Sequence, residues 1–356
     1  MKIADAIFIV KRKADTMHAP ERIIPIILVI LLGISVPMAA AQVTVTDDMG
    51  TTVTINGTPQ RIISLSPSNT EILYALGLGD RVVGVTEYCN YPPEALDKPK
   101  IGGFNTVNIE KVIALRPDLI VAAFGNGEAT INNLRSLGYT VVSLDPGTLE
   151  DVLGNIRLVG QVTGAGDNAT RLAGDLEQRI DAVEERIGAT KDRPKVAHVI
   201  WNDPIYVSGN GTFQDELIKL AGGENAFRRV EGWNVAGIED FIRVDPDVLI
   251  VNKGTGMGGQ EDIIVQFFRS EPRFSGVSAI RNNRIYPVDT DMVDRAAPRI
   301  VDVLEQFAED IHPVQSGVTP APYSTQKTAE GPGFEFTAAV GACVAAAFLL
   351  LRRSGK

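Results

Sequence analysis

Two glutamates, Glu71 and Glu216, occupy the same place in two stretches of the chain that repeat each other. Each follows a short, mainly apolar stretch that begins with a basic residue, at 61–65 and 195–200, and each lies near the start of an expected helix. The positive end of a helix dipole stabilises a carboxylate there, so both residues could be simple helix-start acids; on a surface they could also bind a cationic partner. A duplicated unit predicts two similar lobes with a cleft between them and matched surfaces on either side. This indicates a binding protein rather than a single catalytic pocket.

A second pair of stretches repeats further along the chain, at residues 109–121 and 238–250. Each begins with Ile-Glu, continues with a short helical pattern and passes through Pro-Asp into an apolar strand. The order of strand, helix and strand is therefore duplicated, which supports two lobes of one kind.

Residues that could form a catalytic or metal site are sparse. The three histidines, His18, His198 and His312, are scattered, and no Cys/His cluster has the spacing of metal ligands, so we predict neither a metal site nor a cofactor. The glycine-rich stretch 254–259 lacks the lysine of a phosphate-binding loop and is interpreted as a loop of the cleft. No nucleophile elbow is present either, so no catalytic residue is predicted.

Length and charge limit the number of domains and the class of partner. A chain of 356 residues with 44% hydrophobic residues fits two domains that each bury a core. The net charge of −10 disfavours a nucleic-acid partner, because such proteins usually carry a basic surface.

The strands and helices that must position the repeated glutamates alternate along the chain. Strands and helices alternate from 61 to 145 and again from 195 to about 312, which predicts an α/β fold with parallel sheets. Between them, apolar residues recur every three or four positions, which predicts one helix over 167–188. At roughly 1.5 Å per residue this helix is about 30 Å long, and we interpret it as a single rigid bridge between two Rossmann-like lobes. Residues 43–55 alternate Val and Thr around a turn and predict an N-terminal hairpin.

Both ends of the chain carry apolar segments. Arg22, an apolar run over 23–36 and the small residues 39–41 predict a signal peptide cleaved after Ala41; the alternative is a membrane anchor. At the other end, Pro-Gly-Phe at 332–334 precedes an apolar run over 336–351 and a basic tail. This order resembles the PGF-type C-terminal sorting signal of archaeal surface proteins, with a permanent transmembrane segment as the alternative. In either case the basic tail stays inside and the folded body faces outside.

The predicted organisation of the whole chain has seven parts. They are a signal peptide (1–41), an N-terminal hairpin (42–60), an N-terminal α/β lobe (61–147), a helical linker with the bridging helix (148–192), a C-terminal α/β lobe (193–313), a Thr/Pro linker (314–331) and a C-terminal sorting or transmembrane segment (332–356).

An ordered set of motifs resembles the class III solute-binding proteins of ABC transporters, which bind cobalamin, haem and iron-siderophore complexes. The set spans residues 43–313 and comprises 61–71, Tyr-Pro-Pro at 91–93, 108–118, Gly-Thr-Phe at 211–213 with Glu216, Ala-Gly-Gly at 221–223 and Ala-Pro-Arg at 297–299. Within that family, the motifs at 66–71 and 91–93 look closest to the cobalamin binder. The resemblance implies a monomer that docks through one glutamate on each lobe to arginines of the two permease subunits. Glu71 and Glu216 occupy those motif positions.

The resemblance also implies a ligand held in the cleft, where loops at the carboxyl ends of parallel strands meet. Aromatic rings there would contact a flat macrocycle, and a few polar groups would orient its amides or carboxylates. For each aromatic residue ordinary core packing is the alternative, and Arg295 could pair with Asp291 or Asp294 instead of an anionic ligand. The candidates are Ser66, Pro67, Tyr88, Phe104, Asn105, Phe124, Gly125, Asn126, Trp201, Asn202, Trp233, Gly254, Met257 and Arg295.

Three functions remain open from the sequence. The first is a membrane-anchored binding protein that delivers a corrinoid to an ABC importer. The second is the same role for a ferric siderophore or haem. The third is a surface enzyme of chelatase type, for which His198 is the one histidine that could serve the cleft.

Overall fold

The computed structural model describes residues 42–253 and 262–313. The predicted signal peptide, the Thr/Pro linker and the C-terminal sorting segment lie outside these residues, as do Gly254 and Met257. No helix within the described ranges combines the length and the apolar character that crossing a membrane requires.

The predicted N-terminal hairpin is present. Strands β1 (Gln42–Thr46) and β2 (Thr52–Asn56) pair antiparallel, and alternate side chains are buried. Asp47, which is 4% exposed, fixes the turn because its carboxylate accepts the backbone N–H of Thr51 at 2.9 Å and that of Ser143 at 3.0 Å. It also pairs with Arg135, so the hairpin is fastened to the first lobe.

The N-terminal sheet is wholly parallel, as the alternation of elements predicts. The strand order is β4-β3-β5-β6. Nearly all side chains of these strands are buried, as expected for a sheet with helices on both faces. Its strands are β3 (Ile62–Ser64), β4 (Val82–Val85), β5 (Leu119–Ala123) and β6 (Val141–Leu144). Its helices are α1 (Pro67–Ala75), α2 (Ile109–Ala114) and α3 (Glu128–Ser136).

Two helices connect the lobes. Helix α4 (Leu149–Thr163) begins in a capping box between Thr148 and Asp151, and helix α5 (Gly166–Gly188) follows within one residue of its predicted start. The side chain of Asn168 in α5 donates to the carbonyl of Leu76 at 2.9 Å, which ties this helix to the N-terminal lobe. That the two lobes move as one rigid body stays a prediction.

The C-terminal lobe repeats the α/β pattern with one difference. Strands β7 (Lys195–Asn202), β9 (Glu224–Asn225), β11 (Val248–Lys253) and β12 (Ile285–Asp289) are parallel. Strands β8 (Ile205–Ser208) and β10 (Trp233–Val235) instead add an antiparallel edge. Only two residues join β7 to β8, and so short a connection permits only antiparallel pairing. The helices are α6 (Phe213–Leu220), α7 (Ile238–Val244), α8 (Ile263–Ser270), α9 (Ser278–Arg281), α10 (Thr290–Val293) and α11 (Ile300–Ile311).

The described residues form three hydrophobic clusters, and the one around the connecting helices includes residues of both lobes. It contains the inner residues of the hairpin, the apolar faces of α4 and α5, and the apolar face of α11. Arg179 in α5 adds a bidentate ion pair with Glu305 in α11, at 2.6 and 2.8 Å. The connecting helices therefore pack against elements of both lobes, which fixes where the two sheets face each other.

Candidate functional site

Two adjoining cavities lie where the carboxyl ends of the N-terminal strands face the C-terminal lobe. Their volumes are about 290 and 350 Å³. Both are lined by Pro146, Trp233, Asp294 and Ala296, so these residues mark the middle of the cleft. The position agrees with the expectation that ligands bind outside the carboxyl ends of parallel strands.

Five predicted ligand residues line this cleft: Ser66, Phe104, Phe124, Gly125 and Trp233. The rings of Phe124 and Trp233 are 49% and 57% exposed, so they present apolar faces to the cavity rather than to the core. A side chain at Gly125 would meet the ring of Phe104 at 2.7 Å, so the ring would have to move to accept it. The cleft therefore has aromatic walls.

Other predicted residues lie outside the lining of both cavities. Tyr88 is 48% exposed and contributes its backbone carbonyl to Arg295, and Trp201 lies on the β7–β8 hairpin with its indole N–H bound to the carbonyl of Asp203. Neither ring reaches the cavities. The others outside the lining are Pro67, which begins α1, Asn105, Asn126, Asn202 and Arg295.

Asn126 supports the cleft without facing it. It is 2% exposed, its Nδ2 donates to the carbonyls of Leu65 at 2.8 Å and Phe104 at 2.7 Å, and its Oδ1 accepts from Ala123 N–H at 2.7 Å. Its amide therefore joins the Phe104 loop to the ends of β3 and β5, and a ligand contact by this residue stays a prediction.

Arg295 is likewise committed to protein partners. It is 9% exposed, and its guanidinium binds Glu71 at 3.0 Å, Asn90 at 2.8 Å and Asp291 at 2.7 Å. The alternative that it pairs with Asp291 is thus the one the structure shows. The described lining of the two cavities contains no lysine or arginine.

The polar groups that do face the cleft are carboxylates and amides. Asp294 accepts from Gln214 Nε2 at 2.9 Å and from Asn252 Nδ2 at 2.8 Å. Its side chain is accessible from the cleft, yet the surrounding walls desolvate the carboxylate and raise its pKa to about 6. Burial also raises the pKa of Asp145 at the opposite wall. Asn155 lines the cleft with a buried Nδ2 that has no hydrogen-bond partner among the described residues.

His198 does not serve the cleft. It is fully buried, its Nδ1 lies 2.9 Å from Ser208 Oγ, and burial lowers its pKa to about 4, so the ring is neutral. The expectation that it could supply an enzymatic dyad at the cleft is wrong, because β7 directs it into the core beside Phe307.

Comparison with known proteins decides the family. Residues 62–292 match the family model described as periplasmic binding protein. The chain belongs to the periplasmic binding protein family. It is 34% identical to YvrC of Bacillus subtilis, an uncharacterized ABC transporter substrate-binding lipoprotein, with 76% of this chain and 86% of that protein covered.

Two solved periplasmic binding proteins share the two-lobe fold. The vitamin B12-binding protein BtuF of Vibrio cholerae has a TM-score of 0.64 and 30% identity, covering 71% of this chain and 96% of that one. The heme-binding protein RhuT of Roseiflexus sp. RS-1, in apo form, has a TM-score of 0.64 and 29% identity, covering 72% and 98%.

The two glutamates expected on the surface of this periplasmic binding protein are not freely exposed. Glu71 is 3% exposed and lies between Arg295 and Arg299. Its carboxylate is therefore held in ion pairs at the wall of a third cavity, of about 570 Å³, that Tyr74, Ala75 and Arg299 also line. Docking through Glu71 stays a prediction. Glu216 is half-buried and accepts the backbone N–H of Leu149 at 2.9 Å at the start of α4, and burial raises its pKa.

A second pair of glutamates, at equivalent positions of the two lobes, is exposed to solvent. Glu110 and Glu239 lie in the first turns of α2 and α7, one on each lobe, and both are solvent-exposed. Their signal was present in the sequence as the second repeat, at 109–121 and 238–250. The sequence analysis did not predict Gln214 or Asp294 as residues of the cleft.

Proposed function

We propose that this protein is the extracytoplasmic solute-binding component of an ABC importer and that it captures a corrinoid in the cleft between its lobes. The observation that carries this proposal is the composition of the cleft: the aromatic residues Phe104, Phe124 and Trp233, two carboxylates, and no basic residue in the described lining. The B12-binding relative supports the same ligand class.

The charge of the cleft separates the ligand classes. A corrinoid presents a flat macrocycle edged with carboxamides, whose N–H groups can donate to Asp145 and Asp294 and whose carbonyls can accept from Asn155. Haem propionates and anionic siderophore complexes would instead face two carboxylates. Haem or a ferric siderophore is the second candidate, because RhuT, a structural relative, is a heme-binding protein.

Calorimetry tests the ligand directly. Residues 42–316 would be titrated with cyanocobalamin, haemin and a ferric siderophore under the same conditions. We expect one-to-one binding of cyanocobalamin. Binding of an iron chelate without cyanocobalamin would move the second candidate to first, and no binding of any of the three would contradict the proposed ligand class.

We further propose that Glu110 and Glu239 dock the protein to the two permease subunits. One exposed carboxylate on each lobe, in the same place of a duplicated unit, is suited to a pair of arginines on two related subunits. Docking through Glu71 and Glu216 stays a prediction; Glu71 binds Arg295 and Arg299, and Glu216 accepts the backbone N–H of Leu149.

The location proposed for the protein is the outer face of an archaeal membrane, reached through a signal peptide and kept by the PGF-type segment at 332–356. The support is the order of motif, apolar run and basic tail in the sequence. Intact-mass spectrometry of the membrane-bound protein tests it. Cleavage after Ala41 and near 332–334 with an added lipid mass is the expected result, and an uncut C-terminus would favour a transmembrane anchor instead.

A further inference from the structure

Gln214 joins the two residues at the middle of the cleft. It lies in the first turn of α6 and is 2% exposed. Its Oε1 accepts the indole N–H of Trp233 at 3.0 Å, and its Nε2 donates to Asp294 at 2.9 Å. Trp233 and Asp294 are among the few residues that line both cavities.

The chemistry of these partners requires an amide. An indole N–H can only donate and an ionised carboxylate can only accept, so the group between them must accept on one side and donate on the other. The orientation of the amide is fixed further, because Nε2 also donates to the carbonyl of Val293 at 3.1 Å and Oε1 accepts from Ser208 at 3.4 Å. Reversing the amide would place donor against donor at Trp233 and acceptor against acceptor at Asp294.

Trp233 depends on this contact for its orientation. It begins β10, a strand of three exposed residues at the edge of the sheet that pairs only with β8. With 57% of its surface exposed, its ring is poorly confined by packing. Asp294 is held better, because Asn252 provides a second hydrogen bond at 2.8 Å.

We propose that Gln214 is a positioning residue for ligand binding: its buried amide fixes the ring plane of Trp233 and the carboxylate of Asp294 together, so that the aromatic wall and the polar anchor of the cleft meet a ligand in one geometry. This inference rests on the proposed function, since it takes the cleft as the ligand site. It assigns the preorganisation of the cleft to a residue that is 2% exposed and lies at the wall of one of the two cavities.

A ligand-free measurement tests the positioning. The chain has two tryptophans, so Trp201→Phe in the full-length protein leaves Trp233 as the only indole. In that background Gln214→Leu should lower the fluorescence anisotropy of Trp233 and shift its emission. The control is Gln306→Leu, which removes a half-buried amide of the same lobe that binds the carbonyl of Pro287. It should leave the Trp233 signal unchanged. An unchanged signal in Gln214→Leu overturns the proposal.

Titration with cyanocobalamin tests the consequence. Gln214→Leu should raise the dissociation constant about tenfold, the equivalent of one or two lost hydrogen bonds. The same substitution should have a clearly smaller effect in a Trp233→Phe background, because Phe has no N–H for Gln214 to hold. Equal effects in both backgrounds overturn the role at Trp233.

Failure of the proposed ligand and failure of the positioning role can be told apart. If the wild-type protein does not bind cyanocobalamin, the ligand assignment fails while the Trp233 fluorescence still decides the positioning. If Gln214→Leu does not fold, Gln214→Asn replaces it: its shorter side chain keeps the amide but cannot reach both partners, and it should show the same loss of anisotropy. Wild-type anisotropy and affinity in Gln214→Asn overturn the proposal.

Discussion

The guanidinium of Arg299, beside α11, binds the carboxylate of Glu71 in α1 in a bidentate geometry, with Nε to Oε2 at 2.8 Å and Nη2 to Oε1 at 2.6 Å. Arg295 adds a third contact to the same carboxylate, and the ring of Tyr91 lies 3.8 Å from the Arg299 guanidinium. The cluster of Glu71, Arg295 and Arg299 therefore joins an N-terminal helix to the C-terminal lobe through charges that are mostly hidden from solvent.

Removal of Glu71 should destabilise the protein strongly. Glu71→Ala would leave the largely buried guanidinium of Arg299 without its carboxylate, while Arg295 would keep its ion pair with Asp291. Loss of one partner from a buried ion pair costs about 3–5 kcal/mol. Urea unfolding of residues 42–316 measures this as a lower midpoint. The exposed Glu110→Ala serves as the control and should change the free energy of unfolding by less than about 0.5 kcal/mol. A Glu71→Ala variant as stable as this control would show that the cluster contributes little.

Docking should depend on Glu110 and Glu239 but ligand binding should not. The double variant Glu110→Ala, Glu239→Ala removes one exposed carboxylate from each lobe, and neither residue is part of the cleft lining. We expect loss of transport with an unchanged dissociation constant for cyanocobalamin. Transport assays in vesicles and calorimetry measure the two quantities. Normal transport by this variant would return the docking role to Glu71 and Glu216.

Trp233 and Trp201 should differ in their effect on ligand binding, although both were predicted to contact it. Trp233→Ala removes an aromatic wall of both cavities and should raise the dissociation constant for cyanocobalamin by roughly 30-fold, the loss of about 2 kcal/mol typical of a buried aromatic anchor. Trp201→Ala is the matched control and should leave affinity unchanged, since its ring lies on the β7–β8 hairpin. Equal losses would place Trp201 in the site.

The Asp294 carboxyl should make stability depend on pH in a defined direction. Burial raises its pKa from the ordinary value of 3.8 to about 6, so the folded protein binds this proton more tightly than the unfolded chain. Its contribution to stability is therefore full below pH 4 and is lost as the pH rises through 6. Other carboxyls also titrate, Asp310 with a pKa raised by burial to about 7 among them.

The comparison with Asp294→Asn isolates that contribution. Unfolding free energies of wild type and Asp294→Asn would be measured from pH 4 to 7. The variant should gain stability relative to wild type as the pH rises, because asparagine has no proton to lose. A constant difference across this range would mean that Asp294 titrates normally in the folded protein.

The sequence by itself determined the elements and their duplication. The Val-Thr alternation at 43–55, the apolar stripe of α5 and the alternating order of strands and helices are local patterns, and the structure has the corresponding hairpin, helix and sheets. Those patterns depend on side-chain periodicity and on caps within a few residues, so they can be read without knowledge of distant contacts. The parallel order of the N-terminal sheet follows from the same alternation.

Only the tertiary structure decided which of the repeated glutamates are exposed to solvent and which tryptophan faces the cleft. Helix α1 has no clear apolar stripe, and five consecutive residues, 69–73, are buried, so its sequence could not show that Glu71 faces α11 rather than solvent. Trp201 and Trp233 differ for a similar reason. Both lie on strands of the C-terminal sheet, but the antiparallel edge formed by β8 and β10 carries one into the cleft and leaves the other outside. Burial, ion pairing and strand order arise from contacts between residues far apart in the chain, and local spacing does not encode them.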